Sequence, residues 1–163
     1  MVPAATALKP VLVLGHASWE AKFAVAALEE DGWTVDARLA VAPAADVTQG
    51  TPGTIDTSRY AAVIALDSML GVAGAQLPRF VHDGGGLLLL ADAANAAAVR
   101  AIAPARVGTR RSPATRDLES PVPLDALPLY PLESLRADVV RLAARGSLIA
   151  AAARREGAGR VVQ

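Results

Sequence analysis

"GGGLLLLADAANAAA" (Gly84–Ala98) sets the frame for the whole chain. Four leucines in a row are too short and too uniformly apolar for an amphipathic helix, and fit a strand buried on both faces. The glycines stand before the strand, after "LPRFVHD", so they end a helix and make a tight turn. Glycines that cradle phosphate have the reverse order, following a strand and opening a helix. After the strand comes a sharp turn with Asp92 in N-cap position, which predicts a helix over Asp92–Ala103. Turns of this kind carry the nucleophile in several enzyme folds. The residues standing there are Ala91 and Asp92.

Working outward, "PVLVLG" (Pro10–Gly15) is a second short apolar run closed by glycine. "HASWEAKFAVAALEEDG" follows, with Trp19, Phe23 and Ala27 at i, i+4 and i+8 and with Ala24 and Leu28 beside them. That spacing predicts a helix buried on the tryptophan face. Ser18 suits its N-cap, Glu20 its positive dipole end and Gly32 its C-terminus. "WTVDARLAV" (Trp33–Val41) alternates from Val35 and reads as a strand. Residues 42–58, rich in Pro, Gly, Thr and Asp, read as a surface loop. "YAAVIAL" (Tyr60–Leu66) is another strand, and Pro78 fits the first turn of a short helix whose Phe80 and Val81 face inward.

Short all-apolar strands alternating with helices predict an α/β fold, a flavodoxin-like parallel sheet with helices on both faces. Two additions follow. Residues 112–131 hold five prolines and read as an extended proline-rich arm. "ADVVRLAARGSLIAAAARREGAGRVVQ" reads as three strands divided at Arg145-Gly146 and at Gly157–Gly159, an antiparallel C-terminal extension. The 163 residues suit a single domain. The closing "GRVVQ" reads as a strand cut short, which suggests a fragment of a longer protein.

Lys+Arg and Asp+Glu each number 16. A balanced charge argues against a general nucleic-acid or anionic-membrane binder, since both need a positive field. The local run Arg106, Arg110, Arg111 and Arg116 reads as a solvated loop. There is no cysteine, so disulfides, thiolate metal sites and a thiol nucleophile are excluded. No apolar run reaches the length of a membrane helix, and the first ten residues do not form a signal peptide.

Ligands of open parallel sheets bind beyond the carboxyl ends of the strands. That rule gathers His16, Ser18 and Glu20 after the first strand, Asp67 and Ser68 after the third, and Asp92 and Asn95 after the fourth. His16, Ser18, Asp67, Ser68, Asp92 and Asn95 are the candidate ligand-binding residues; Asp92, His16 and Glu20 are the weaker catalytic candidates. Ordinary structural readings stand beside these: His16 hydrogen-bonding the first turn of its helix, Glu20 as a surface residue that complements the helix dipole, and Asp92 as an N-cap. The two histidines, on separate elements without clustered carboxylates, predict no metal site, and no cofactor motif is present.

The run "LPRFVHDGGGLLLLADAAN" after "YAAVIALDS" resembles the class I glutamine amidotransferase-like superfamily, where a glycine cluster leads into the central strand and a nucleophile elbow. "GHASWEAKFAVAALEEDGWTVDARLAVAP" resembles, more narrowly, the amidotransferase-like domain of large bacterial membrane proteins with aerotolerance-type (Bat) and von Willebrand A-like regions. The resemblance spans Pro10 to about Ala103, with a faint return at "GAGRVVQ". It implies a thiol at the elbow and a late His with a Glu. The elbow here offers Ala91 and Asp92, and the histidines are His16 and His82, so glutaminase chemistry is not carried over.

Three readings follow. The first is a non-catalytic amidotransferase-like domain that binds a small ligand or protein within a larger cell-envelope protein, its partners being other domains of that chain or envelope proteins. The second is a structural docking module. The third is a hydrolase built on Asp92 with His16 or Glu20. In none does this stretch enter the membrane or bind nucleic acid.

Overall fold

The computed structural model describes residues 9–42, 44–111 and 128–163. They form a mixed α/β fold around one ten-stranded sheet. Along the chain run β1 (Val11–His16), α1 (Trp19–Glu30), β2 (Val35–Ala42), β3 (Ala45–Gln49), β4 (Ala62–Ala65), α2 (Leu77–His82) and β5 (Gly86–Leu89). After them come β6 (Arg106–Val107), β7 (Leu132–Glu133), β8 (Val140–Arg145), β9 (Leu148–Glu156) and β10 (Gly159–Val162).

The middle of the sheet is parallel, in the order β2-β1-β4-β5-β10. Of its strands, β1, β4 and β5 are short apolar runs read in the sequence and β2 is the alternating one. They pair in register, with Val11 opposite both Val35 and Ala62, and Leu87 opposite both Val63 and Val161. Antiparallel pairs extend both sides: β3 on β2, and β9 on β10 followed by β7 and β6, with β8 on the other edge of β9. The three C-terminal strands lie where the two glycine turns divide them, but only β8 and β9 form the expected antiparallel extension: β10 runs parallel to β5 and belongs to the parallel middle of the sheet.

Alternation along each strand sorts side chains into different packing groups. Leu12, Leu14, Val63, Ala65, Leu87, Leu89 and Val161 share a core with Leu77, Phe80 and Val81 of α2. Val13, Val35 and Ala37 pack instead with Val25 of α1. Gly85 is needed between α2 and β5, because a Cβ there would lie 2.3 Å from the Phe80 ring. Neighbouring Gly84 takes φ +112°, a left-handed conformation that favours glycine.

Three further expectations are corrected. The helix α1 is capped by Ser18 as expected, but it does not bury its tryptophan face: Trp19 is 72% exposed and Phe23 66%. The buried stripe is Ala21 and Val25, with Leu28 packed beside them. Two residues advance roughly 200° around a helix, so Ala21 points away from Trp19. A small residue at Ala21 lets the helix backbone come close to the sheet.

The span 42–58 is not all loop. Ala45–Gln49 pairs antiparallel with β2 as an edge strand exposed along its whole length. With neither face buried, no hydrophobic alternation marks it. Lastly, Asp92–Ala103 is not one helix. A single 3-10 turn, Ala93–Asn95, ends at Ala96, whose ψ of 130° leaves the helical region. Side-chain capping by Asp92 is absent because its carboxylate is engaged elsewhere. Of the proline-rich arm, residues 112–127 lie outside the described residues; Leu129 forms a bridge with Arg111.

Candidate functional site

The carboxyl ends of β1, β4 and β5 meet at a braced edge. β1 closes on Gly15, where a Cβ would come within 3.0 Å of Leu66 Cβ and 3.2 Å of Asp67 Oδ2. This close approach lets the Asp67 carboxylate accept the His16 backbone N–H at 2.9 Å, while its other oxygen accepts the Met69 N–H at 2.8 Å. Asp67 thereby ties β1 to the loop after β4.

The next loop is tied in the same way. Ser68 donates its backbone N–H to Asp92 Oδ1 at 3.2 Å and its hydroxyl to Asp92 Oδ2 at 2.9 Å. Between β5 and Asp92 stands Ala91 with φ +44°, a left-handed conformation that disfavours any residue with a Cβ. The turn is closed by Ala93 N–H donating to the Leu90 carbonyl at 2.9 Å. A left-handed elbow is therefore present, and a methyl group occupies it.

Beside the elbow is a cleft of about 620 Å³ bordered by Glu20, Leu90, Ala91, Arg110, Tyr130 and Gln163. Glu20 comes from the first turn of α1, so the helix N-cap at Ser18 positions it. Gln163 is 8% exposed, and its Oε1 accepts the Ala105 N–H at 3.0 Å. That bond leaves Nε2 as a buried donor with no acceptor. Glu20 and Arg110 form no ion pair with each other, nor with another side chain among the described residues.

Of the residues named from sequence, Asp67, Ser68 and Asp92 meet in one hydrogen-bonded edge, joined by the backbone of His16. The Asp92 carboxylate bonds to Ser68 and to neither His16 nor Glu20. Ser18 caps α1. Asn95 borders a different cleft, with Arg100 and Arg136, and its carbonyl accepts from Arg100 Nη2 at 2.7 Å. Sequence reasoning missed Arg110 as a site residue, as well as Tyr130 and Gln163. Only the pairing of Arg111 with Leu129 and the seating of Gln163 beside Ala105 bring them to the elbow. No group of three metal-binding side chains occurs among the described residues.

A buried carboxylate that accepts three hydrogen bonds lies in the opening residues of β2, away from this edge. Asp36 is 5% exposed and accepts from the Tyr60 hydroxyl at 2.8 Å, the Thr51 N–H at 2.9 Å and Arg59 Nη2 at 3.1 Å. Burial pushes its pKa up, but the bonds from Thr51, Tyr60 and Arg59 outweigh burial and hold it below the ordinary carboxylate value. Burial is also the leading cause of the raised Tyr60 pKa. This cluster fastens residues 51–60 to the sheet. Alternation from Val35 puts Asp36 on the face opposite Val35 and Ala37, so no pattern in the sequence marked it as buried.

Comparison with protein-family models, curated proteins and solved structures returns no match. The chemistry of the site therefore rests on its geometry. No helix among the described residues is long and apolar enough to cross a membrane.

Proposed function

We infer that this chain is a non-catalytic amidotransferase-like binding domain, flavodoxin-like in architecture, whose ligand cleft lies over the Ala91 elbow. One observation carries the reading: the left-handed position at the end of β5 holds an alanine, beside a cleft with unmatched polar groups. An elbow without a nucleophile can position a ligand but cannot attack it. The flavodoxin-like assignment draws on the parallel order β2-β1-β4-β5-β10, which matches the second common doubly wound order. Helices on both faces are supported by α1 and α2 joining different packing groups.

The cleft suits a small zwitterion. Arg110 offers donors to a carboxylate, and Glu20 offers an acceptor to an ammonium. Residence in a larger cell-envelope protein is suggested by the resemblance of "GHASWEAKFAVAALEEDG" and its surroundings. The hydrolase alternative has less support, because the Asp92 carboxylate is held by Ser68 with no imidazole bonded to it.

Calorimetric titration with free α-amino acids, glutamine included, tests the reading. Saturable binding is expected, weakened about tenfold or more by Arg110→Ala, which removes a charge-assisted contact, with no ammonia released from glutamine. Ammonia release by the wild-type protein, or no binding by any member of the set, refutes it.

A further inference from the structure

The cover over the sheet thins toward its C-terminal strands on the side where α1 packs. On that side Val13 is fully buried against Val25 of α1. Ile64, Leu88 and Val162, on the same side of β4, β5 and β10, are half-buried. At the far end Val140 is 62% exposed and Leu142 54%. Val140 stands opposite Ala153, and Ala153 opposite Val162, so these residues form one apolar floor across β8, β9 and β10. A cleft of about 630 Å³ lies over that floor.

Three arginines, Arg154, Arg155 and Arg160, border it together with Asp138. Arg155 of β9 and Arg160 of β10 are direct cross-strand partners, both exposed and both bordering the cleft. Like charges placed opposite each other on a sheet repel. Arg154, on the alternate face of β9, has two carboxylate partners, Asp138 and Glu156. Among the described residues, neither Arg155 nor Arg160 has one.

We propose that the floor formed by Val140, Leu142, Ala153 and Val162 is the docking surface for an amphipathic helix of a partner protein, with carboxylates set against Arg155 and Arg160. The dimensions select a helix. Three adjacent strands span two spacings, roughly 10 Å, which is the width of one α-helix with its side chains. Apolar residues at i, i+3, i+4 and i+7 of the partner meet the floor, and its acidic residues relieve the arginine pair. This surface is separate from the cleft at Ala91, and its test does not depend on the ligand there.

The chain has no cysteine, so Leu142→Cys carrying an environment-sensitive fluorophore reports on this face alone. The probes are a designed amphipathic peptide of about 15 residues, long enough to be helical, with leucines at the stated spacing and glutamates beside them, and its counterpart with lysines for glutamates. Saturable binding of the acidic peptide is expected, about tenfold or more tighter than the lysine peptide, as two partly desolvated ion pairs allow. The double variant Arg155→Glu/Arg160→Glu should reverse that order. A missing response, equal response to both peptides, or an order unchanged by the charge reversal overturns the proposal. So does concentration-dependent dimerisation in sedimentation that Val140→Glu abolishes, because a second copy then covers the face.

Discussion

Replacing Asp36 with alanine should destabilise the fold more than any single change at the candidate site. The substitution strips three donors of their acceptor. Tyr60 is 1% exposed, so its hydroxyl proton would be left buried without a partner, at about 1–3 kcal/mol. The part-buried Thr51 N–H adds roughly 1 kcal/mol. Arg59 keeps over a third of its side chain in water and is screened, so no energy is assigned to it. The loss of about 2–4 kcal/mol is a large share of a domain stability of roughly 5–15 kcal/mol. In a chain of this size it lowers Tm by on the order of 10 °C. Urea unfolding followed by circular dichroism measures it, and a loss under about 1 kcal/mol refutes the reasoning.

The same carboxylate sets a pH dependence. Its folded pKa is depressed, so its contribution is complete above the unfolded value near pH 4 and is lost as pH falls through the folded pKa. Asp56 and Asp138 are shifted the same way, by hydrogen bonds from Ser58 and from Arg154 respectively, so the comparison needs a control. Between pH 5 and pH 3, roughly the window set by the unfolded carboxylate, wild type should lose stability more steeply than Asp36→Asn. Parallel curves for the two proteins would assign the acid sensitivity to other groups.

Two further outcomes follow from the backbone and from α1. Ala91→Gly should stabilise the protein by about 0.5–1 kcal/mol in urea unfolding, because glycine removes left-handed strain of roughly 1–2 kcal/mol while loosening the unfolded chain; destabilisation would show an unstrained turn. Trp19→Ala should change stability by no more than about 0.5 kcal/mol, as expected of a surface position, whereas Val25→Ala should lose about 2 kcal/mol through lost burial and a cavity. The opposite ranking in thermal unfolding would restore the tryptophan face as the buried one.

Local pattern in the sequence by itself marked β1, β4 and β5 as strands, because runs such as "LLLL" and "VLVL" are too short for a helix and fit a strand covered on both faces; that β10 runs parallel to β5 was settled by tertiary pairing. Local pattern also determined the glycine turn before β5, the Ser18 cap and the divisions between β8, β9 and β10, all of which depend on neighbours close along the chain. Choices that hang on distant partners were decided in the tertiary structure. In an alanine-rich helix both the Trp19 and the Val25 stripes are apolar, and only contact with Val13 and Val35 picks the buried one. Asp92 reads locally as a helix cap, yet Ser68, 24 residues away, takes its carboxylate and no long helix follows. The cleft likewise joins Glu20, Ala91, Arg110, Tyr130 and Gln163 from separate parts of the chain. A hydrogen bond or a buried face goes to whichever partner folding brings nearest in space, and sequence spacing cannot rank partners that far apart.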